Sequence, residues 1–168
     1  MLKFSGLVLR CNFSILARVR AVIQRVSEAG VKVDGETIGS IGRGLMVLIA
    51  AGPEDQESDA KLLADKIANL RIFSDADDKM NLSLLDISGE LLGISQFTLF
   101  GDARKGRRPS FVAAMEPVEA ARLYEKVLAR LREVGVQKVA CGRFGADMKV
   151  SMVGDGPVTI LVDTKKRF

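Results

Sequence analysis

Five glycines, Gly30, Gly35, Gly39, Gly42 and Gly44, cut the early part of the chain into short apolar runs rich in β-branched residues, at 21–26, 31–33 and 45–51. Short strands joined by tight turns need that mixture of stiff side chains and permissive backbone. The segment therefore reads as an antiparallel meander. Runs of the same character at 90–100, 136–141, 148–153 and 158–163 predict further strands.

Two segments follow a helical period instead. Between 56 and 73, Leu63, Ile67 and Leu70 recur at i, i+4 and i+7, which gives one apolar face and leaves Asp59, Lys61, Asp65 and Lys66 largely toward water. Pro117 opens a second helix, where its missing N–H costs little. Ala121, Tyr124, Leu128 and Leu131 then repeat at helical spacing until Gly135 stops it. Both stripes read as core packing. Few helices and many strands, without regular βαβ alternation, predict an α+β domain. At 168 residues and 48% hydrophobic content the chain can build one core, and no run of eighteen or more uncharged apolar residues is present to span a membrane.

Composition then narrows the chemistry. There is no histidine, which excludes Ser-His and Cys-His nucleophile pairs and any zinc site that uses imidazole. Cys11 and Cys141 form no CxxC, and two cysteines in a chain of this length fit a reduced cytosolic protein better than a disulfide framework. The formal charge of +4 is a mild bias toward polyanions. Its distribution is sharper. Arg104, Lys105, Arg107 and Arg108 place four cations in five residues, and Lys165, Lys166 and Arg167 make a basic tail. Such clusters neutralise phosphates or simply solvate a loop and a terminus, and charge alone does not choose between these. The first cluster is a candidate nucleic-acid contact.

Two short motifs carry the remaining chemical information. Ser95, Gln96, Phe97, Thr98 and Leu99 lie in the strand expected over 90–100, so Ser95, Phe97 and Leu99 would share one face and Gln96 and Thr98 the other. By spacing alone this is one more strand with two hydroxyls. Thr98 as a nucleophile lacks a base, whereas Gln96 and backbone N–H groups near Phe97 suit the stabilisation of an oxyanion. The second motif is Gly156, Pro157, Val158 and Thr159. X–Pro bonds are the one common place for a cis peptide, but the dipeptide by itself reads as an ordinary turn.

Taken together, these motifs resemble the two signatures of the D-aminoacyl-tRNA deacylases. The resemblance extends to the run from Val19 to Val26, to Gly106, Arg107, Arg108, Pro109, Ser110 and Phe111, and to the segment from Gly142 through Phe144 to Met148. It implies two sheets rolled into a barrel-like body with two main helices outside, paired as a homodimer. It implies a cytoplasmic enzyme of chiral proofreading in translation, which hydrolyses D-aminoacyl-tRNA, and glycyl-tRNA mischarged on tRNA-Ala, with no metal and no cofactor. The terminal ribose 2′-OH would help to activate water.

Carried onto this chain, the family pattern makes Ser95, Gln96, Phe97 and Thr98 the catalytic motif and Phe144 and Met148 pocket-lining residues. Arg104, Lys105, Arg107 and Arg108 become tRNA contacts. A cis Gly156–Pro157 from one subunit would enter the partner's pocket, with both carbonyls facing the substrate's α-carbon. The related enzymes that correct L-alanine errors carry Pro in place of Ser95 and Ala in place of Phe97, so this chain sides with the D-specific branch. One position departs: the family has Asn where this chain has Gly154.

The first eighteen residues contain Lys3, Arg10 and Arg18 but no acid, and Arg10 breaks their apolar stretch, which makes a poor signal segment. Because the likeness begins at Val19, and valine is what a GUG start codon encodes when it is translated internally, residues 1–18 are expected to be upstream sequence rather than a targeting extension, and 19–168 the single deacylase domain. A non-catalytic nucleic-acid-binding protein and a generic esterase using Ser95 or Thr98 are the rival readings.

Overall fold

The computed structural model describes residues 19–164; the expectations for 1–18 and for the tail of Lys165, Lys166 and Arg167 lie outside the described residues. The organising element is β1 (Arg20–Val33), which runs straight through Gly30 rather than breaking there. Along one edge β1 pairs antiparallel first with β3 (Gly44–Ala50) and then with β2 (Glu36–Ile41). Its other edge is covered by β8 (Lys149–Asp163), which fuses the two strands expected at 148–153 and 158–163. The ladder between β1 and β8 shifts register between Gln24 and Glu28, opposite the Gly154 to Pro157 stretch.

The sheet is mixed rather than uniformly antiparallel. β3 pairs parallel with β6 (Glu90–Ser95), and β6 pairs parallel with β7 (Lys138–Cys141). Both parallel steps need crossovers, and these crossovers hold the two helices: α1 (Glu57–Asn69) between β3 and β6, α2 (Pro117–Glu133) between β6 and β7. Two crossovers of the same hand moving in the same direction across a sheet put both helices on one face. The strand pattern had concealed this, because the first crossover also contains the small ribbon of β4 (Phe73–Ser74) and β5 (Met80–Leu82). In place of two rolled sheets there is one six-stranded sheet, in which β2 comes round against β7, plus that ribbon.

Alternation along the strands fills both sides. Ala21, Ile23, Leu45, Val47, Ile49 and Leu91 pack against Leu63, Ile67, Leu123, Val127 and Leu128 of the helices. Val26, Val31, Met46, Leu92 and Ile94 meet inside the curl of the sheet. Each fully buried Val, Leu, Ile or Met among them is worth about 1.5–3 kcal/mol of transfer free energy.

The helix ends follow from local chemistry. At the start of α1 the Asp59 carboxylate accepts from the Gln56 N–H at 3.0 Å, so Asp59 is buried instead of facing water as the periodicity predicts. Glu116 accepts from the Val118 N–H at 3.1 Å, with Pro117 in the first turn of α2. At the far end Gly135 adopts φ +96°, while the Val136 N–H reaches the Leu131 carbonyl and the Gly135 N–H that of Arg132. This pair of bonds ends the helix at Glu133, with four residues between it and the start of β7 at Lys138.

Candidate active site

The parallel strands β3 and β6 end side by side, with Ile49 opposite Ser95, and a cavity of about 330 Å³ opens beyond their C-terminal ends. Open sheets with parallel strands place ligand sites at this end. β3 contributes Ile49 and Ala50, β6 and the residues after it contribute Ile94, Ser95, Gln96 and Phe97, and the inner face of α2 contributes Leu123, Tyr124 and Val127. The 144–148 loop closes one side with Phe144 and Met148. The wall is therefore mostly apolar, with Ser95 and Gln96 at the strand end, Tyr124 on α2 and Asp147 in the loop as its polar side chains.

The chain does not continue as a strand through the first motif. β6 stops at Ser95, and residues Phe97–Phe100 form a single 3-10 turn, so the expected two-face alternation of Ser95, Phe97 and Leu99 against Gln96 and Thr98 is not realised. The Gln96 N–H still donates to the Ile49 carbonyl at 2.8 Å, which anchors the turn to β3. The Leu99 N–H returns to the Gln96 carbonyl at 3.2 Å, closing the turn. The start of such a turn leaves the N–H groups of Phe97 and Thr98 without an acceptor inside it.

Arg20, which sequence reasoning had passed over, fixes this turn from β1. Its guanidinium donates to the Leu99 carbonyl at 2.9 Å and to Asp163 at 3.3 Å, and lies 4.5 Å from the centre of the Phe100 ring. In the sequence Arg20 is one of two arginines in the Val19–Val26 run and carries no mark that separates it from an ordinary strand charge.

The back wall is set by Tyr124. Its hydroxyl donates to the Gly93 carbonyl at 2.9 Å, and its ring stands 6.2 Å from that of Phe144. Burial pushes the phenol well above its ordinary pKa, so the group stays a neutral donor. Met148 is seated over Gly142: a Cβ at 142 would collide with the Met148 Sδ, so the glycine makes room for the methionine.

The remaining candidates lie elsewhere. Thr98 is exposed and is not among the cavity-lining residues, although it neighbours Phe97 in the turn. Gly156 and Pro157 do not line the cavity of their own chain; they sit on β8, joined by a cis peptide bond. Arg104 is engaged by Asp102 through hydrogen bonds of 2.8 and 2.6 Å, and that guanidinium holds the Asp102 carboxyl far below the usual carboxylate range. Lys105, Arg107 and Arg108 are exposed in the same loop. Among the described residues no group of His, Cys, Asp or Glu is placed to hold a metal ion, and no helix is long and apolar enough to cross a membrane.

A family model described as D-Tyr-tRNA(Tyr) deacylase matches residues 22–163. This chain belongs to that family. Membership makes it a hydrolase of the deacylase type. A relative from Clostridium beijerinckii named D-aminoacyl-tRNA deacylase is 58% identical over 150 residues, covering 89% of this chain and 100% of the relative. One of the same name from Geotalea uraniireducens is 58% identical over 148 residues, covering 88% and 95%. Among solved structures, the c-Myc DNA Unwinding Element Binding Protein is 41% identical with a TM-score of 0.80, over 85% of this chain and 97% of that one. A probable eukaryotic D-amino acid tRNA deacylase, 20% identical, shares the fold with a TM-score of 0.77 over 87% of this chain and 99% of that one, so the mixed, barrel-like sheet with its two helices is a fold that this deacylase also has.

Proposed function

We propose that this deacylase hydrolyses the ester joining a D-amino acid, or glycine, to the terminal adenosine of tRNA, as a chiral proofreading step of translation in the cytoplasm. The observation that carries the reading is the convergence of Ser95, Gln96 and Phe97 with Phe144 and Met148 on one apolar cavity. Names of close relatives supply the substrate class. An aminoacyl ester is already reactive, so orientation and oxyanion stabilisation suffice without an imidazole. The Gln96 amide and the N–H groups of Phe97 and Thr98 donate to the carbonyl oxygen as negative charge develops, while water attacks with the ribose 2′-OH assisting.

In this reading the enzyme works as a homodimer. Gly156 and Pro157 of one subunit enter the cavity of the other, and their carbonyls occupy the space that an L side chain would need. A pocket tuned only by affinity separates small groups by roughly 10- to 200-fold, so a repulsive element is required for a stringent filter. Glycine lacks a side chain and passes. Two features support the arrangement: the dipeptide stands clear of its own chain's cavity, and β8 exposes Val150, Met152, Val153 and Leu161 beside it.

The test is deacylation of matched D-tyrosyl-, L-tyrosyl- and glycyl-tRNA. The proposal expects the D and glycyl esters to be cleaved and the L ester spared. Salt-dependent binding without hydrolysis would favour a nucleic-acid-binding protein instead, the reading that the name of the solved neighbour brings to mind.

A further inference from the structure

Outside the cavity, the hairpin that follows the first motif carries an apolar surface that the reaction described above leaves unused. Two backbone bonds of 2.8 and 2.9 Å between Asp102 and Ser110 close the hairpin, and Phe111 emerges from its end with its ring over Gly101. There it meets Phe97 edge to face, with ring centres 5.2 Å apart and planes at 73°. Phe97 is 57% exposed, Phe111 37% and Val112 91%, so the turn and the end of the hairpin together present apolar surface to solvent. Phe97 lines the cavity whereas Phe111 does not, so the pair leads outward from the reaction site.

The same hairpin holds the exposed cations. Arg104 is engaged by Asp102, which leaves Lys105, Arg107 and Arg108 facing solvent, and Arg108 is three residues from Phe111, at most about 11 Å along the chain. Aromatic faces interleaved with cations are the composition of a platform for unpaired nucleotides: rings stack bases without reading them, and cations hold the phosphates. The ring pair runs from the cavity wall at Phe97 outward to Phe111, so the occupant that fits is the strand attached to the group held in the cavity.

We infer that Phe111, with Arg107 and Arg108, binds the unpaired nucleotide preceding the terminal adenosine of the tRNA substrate, the base stacking on the Phe111 ring and its phosphate meeting the arginines. The inference rests on the proposed deacylase reading and adds to it a subsite for the substrate's single-stranded end. Phe111 is then a positioning residue whose contribution appears in KM for substrates that possess that nucleotide.

The experiment compares D-tyrosyl-tRNA with D-tyrosyl-adenosine, which has the ester and the terminal nucleoside but nothing before them. Phe111→Leu keeps apolar bulk and removes the aromatic face. It should raise KM for D-tyrosyl-tRNA about tenfold, within the usual cost of losing one base–aromatic stack, and leave kcat and the D-tyrosyl-adenosine constants within twofold. Phe111→Trp should restore the wild-type KM. Equal losses on both substrates would overturn the inference by showing that Phe111 merely braces Phe97. An unchanged KM in Phe111→Leu would overturn it by showing that no base stacks there. Wild-type protein inactive on both esters would remove the deacylase reading first and the subsite with it, which separates the two failures.

Discussion

Arg25 on β1 holds Asp155 on β8: its Nε donates to the Asp155 carbonyl at 3.0 Å and pairs with the Asp155 carboxylate at 3.2 Å. The same guanidinium reaches the Ile72 carbonyl at 2.6 Å, and its second terminal nitrogen stands beside Gly156. One half-buried cation thus ties the segment preceding Pro157 to two other parts of the fold.

Arg25→Gln should therefore loosen the Gly156–Pro157 loop more than it damages the cavity. The substitution strands two partly buried carbonyls and one carboxylate, a cost of about 1–3 kcal/mol. The expected result is a lower unfolding midpoint together with a fall in the ratio of kcat/KM for D- over L-tyrosyl-tRNA. A destabilised enzyme with an unchanged ratio would show that Arg25 supports stability alone.

Gln96 and Thr98 should separate cleanly in kinetics. Gln96 lines the cavity beside the strand end, and removing one oxyanion donor typically costs about a hundredfold or more in kcat. Gln96→Ala is expected to show that loss, whereas Thr98→Ala, at an exposed position away from the cavity wall, should keep most of its activity because the Thr98 contribution comes from its backbone N–H. Capture of an acyl-enzyme on Thr98 would reverse the assignment.

Gly154→Asn introduces the residue that the family resemblance leads one to expect at this position. A Cβ built at Gly154 meets no heavy atom within 4 Å, and no left-handed backbone demands glycine there. The variant should fold with a stability change inside about 0.5 kcal/mol, the range of surface substitutions away from special features, and should hydrolyse D-aminoacyl-tRNA at the wild-type rate. A large loss of activity would mean that this chain has built its loop differently from its relatives.

Much of the site was legible because short motifs travel with their backbone. Ser95, Gln96, Phe97, Phe144 and Met148 converge on one cavity although Phe144 and Met148 come from a loop about fifty positions later in the chain. The boundaries of α2 were legible too, since Pro117 and Gly135 act locally, whereas α1 stops at Asn69 and leaves Leu70 of its expected stripe outside the helix. Three things were not. The strand expected over 90–100 ends at Ser95 because the parallel partner β3 ends at Ala50, a limit set by pairing and invisible in residue preferences. Gly30 reads as a breaker but lies inside β1, where partners on both edges, Ser40 and Ser151, override its propensity. Arg20 and Arg25 look like ordinary strand charges until the elements they tether, Leu99 and Asp155, are folded beside them.

The shape of the cavity gives a last prediction, through Gly142. Its backbone is open to alanine, but the added methyl would occupy the place of the Met148 Sδ and crowd Ile94 at 3.2 Å. Met148 is flexible and would swing away by changing rotamer, altering the wall that it forms; overpacking of this kind costs about 1–3 kcal/mol. The consequence for catalysis depends on what the substrate places against that wall. Gly142→Ala should raise KM for D-tyrosyl-tRNA several-fold and leave glycyl-tRNA nearly unaffected, because glycine presents no side chain to the displaced methionine. Parallel losses on both substrates would show that the methyl disturbs the end of β6 beside Ile94, and with it the oxyanion donors, rather than the side-chain pocket.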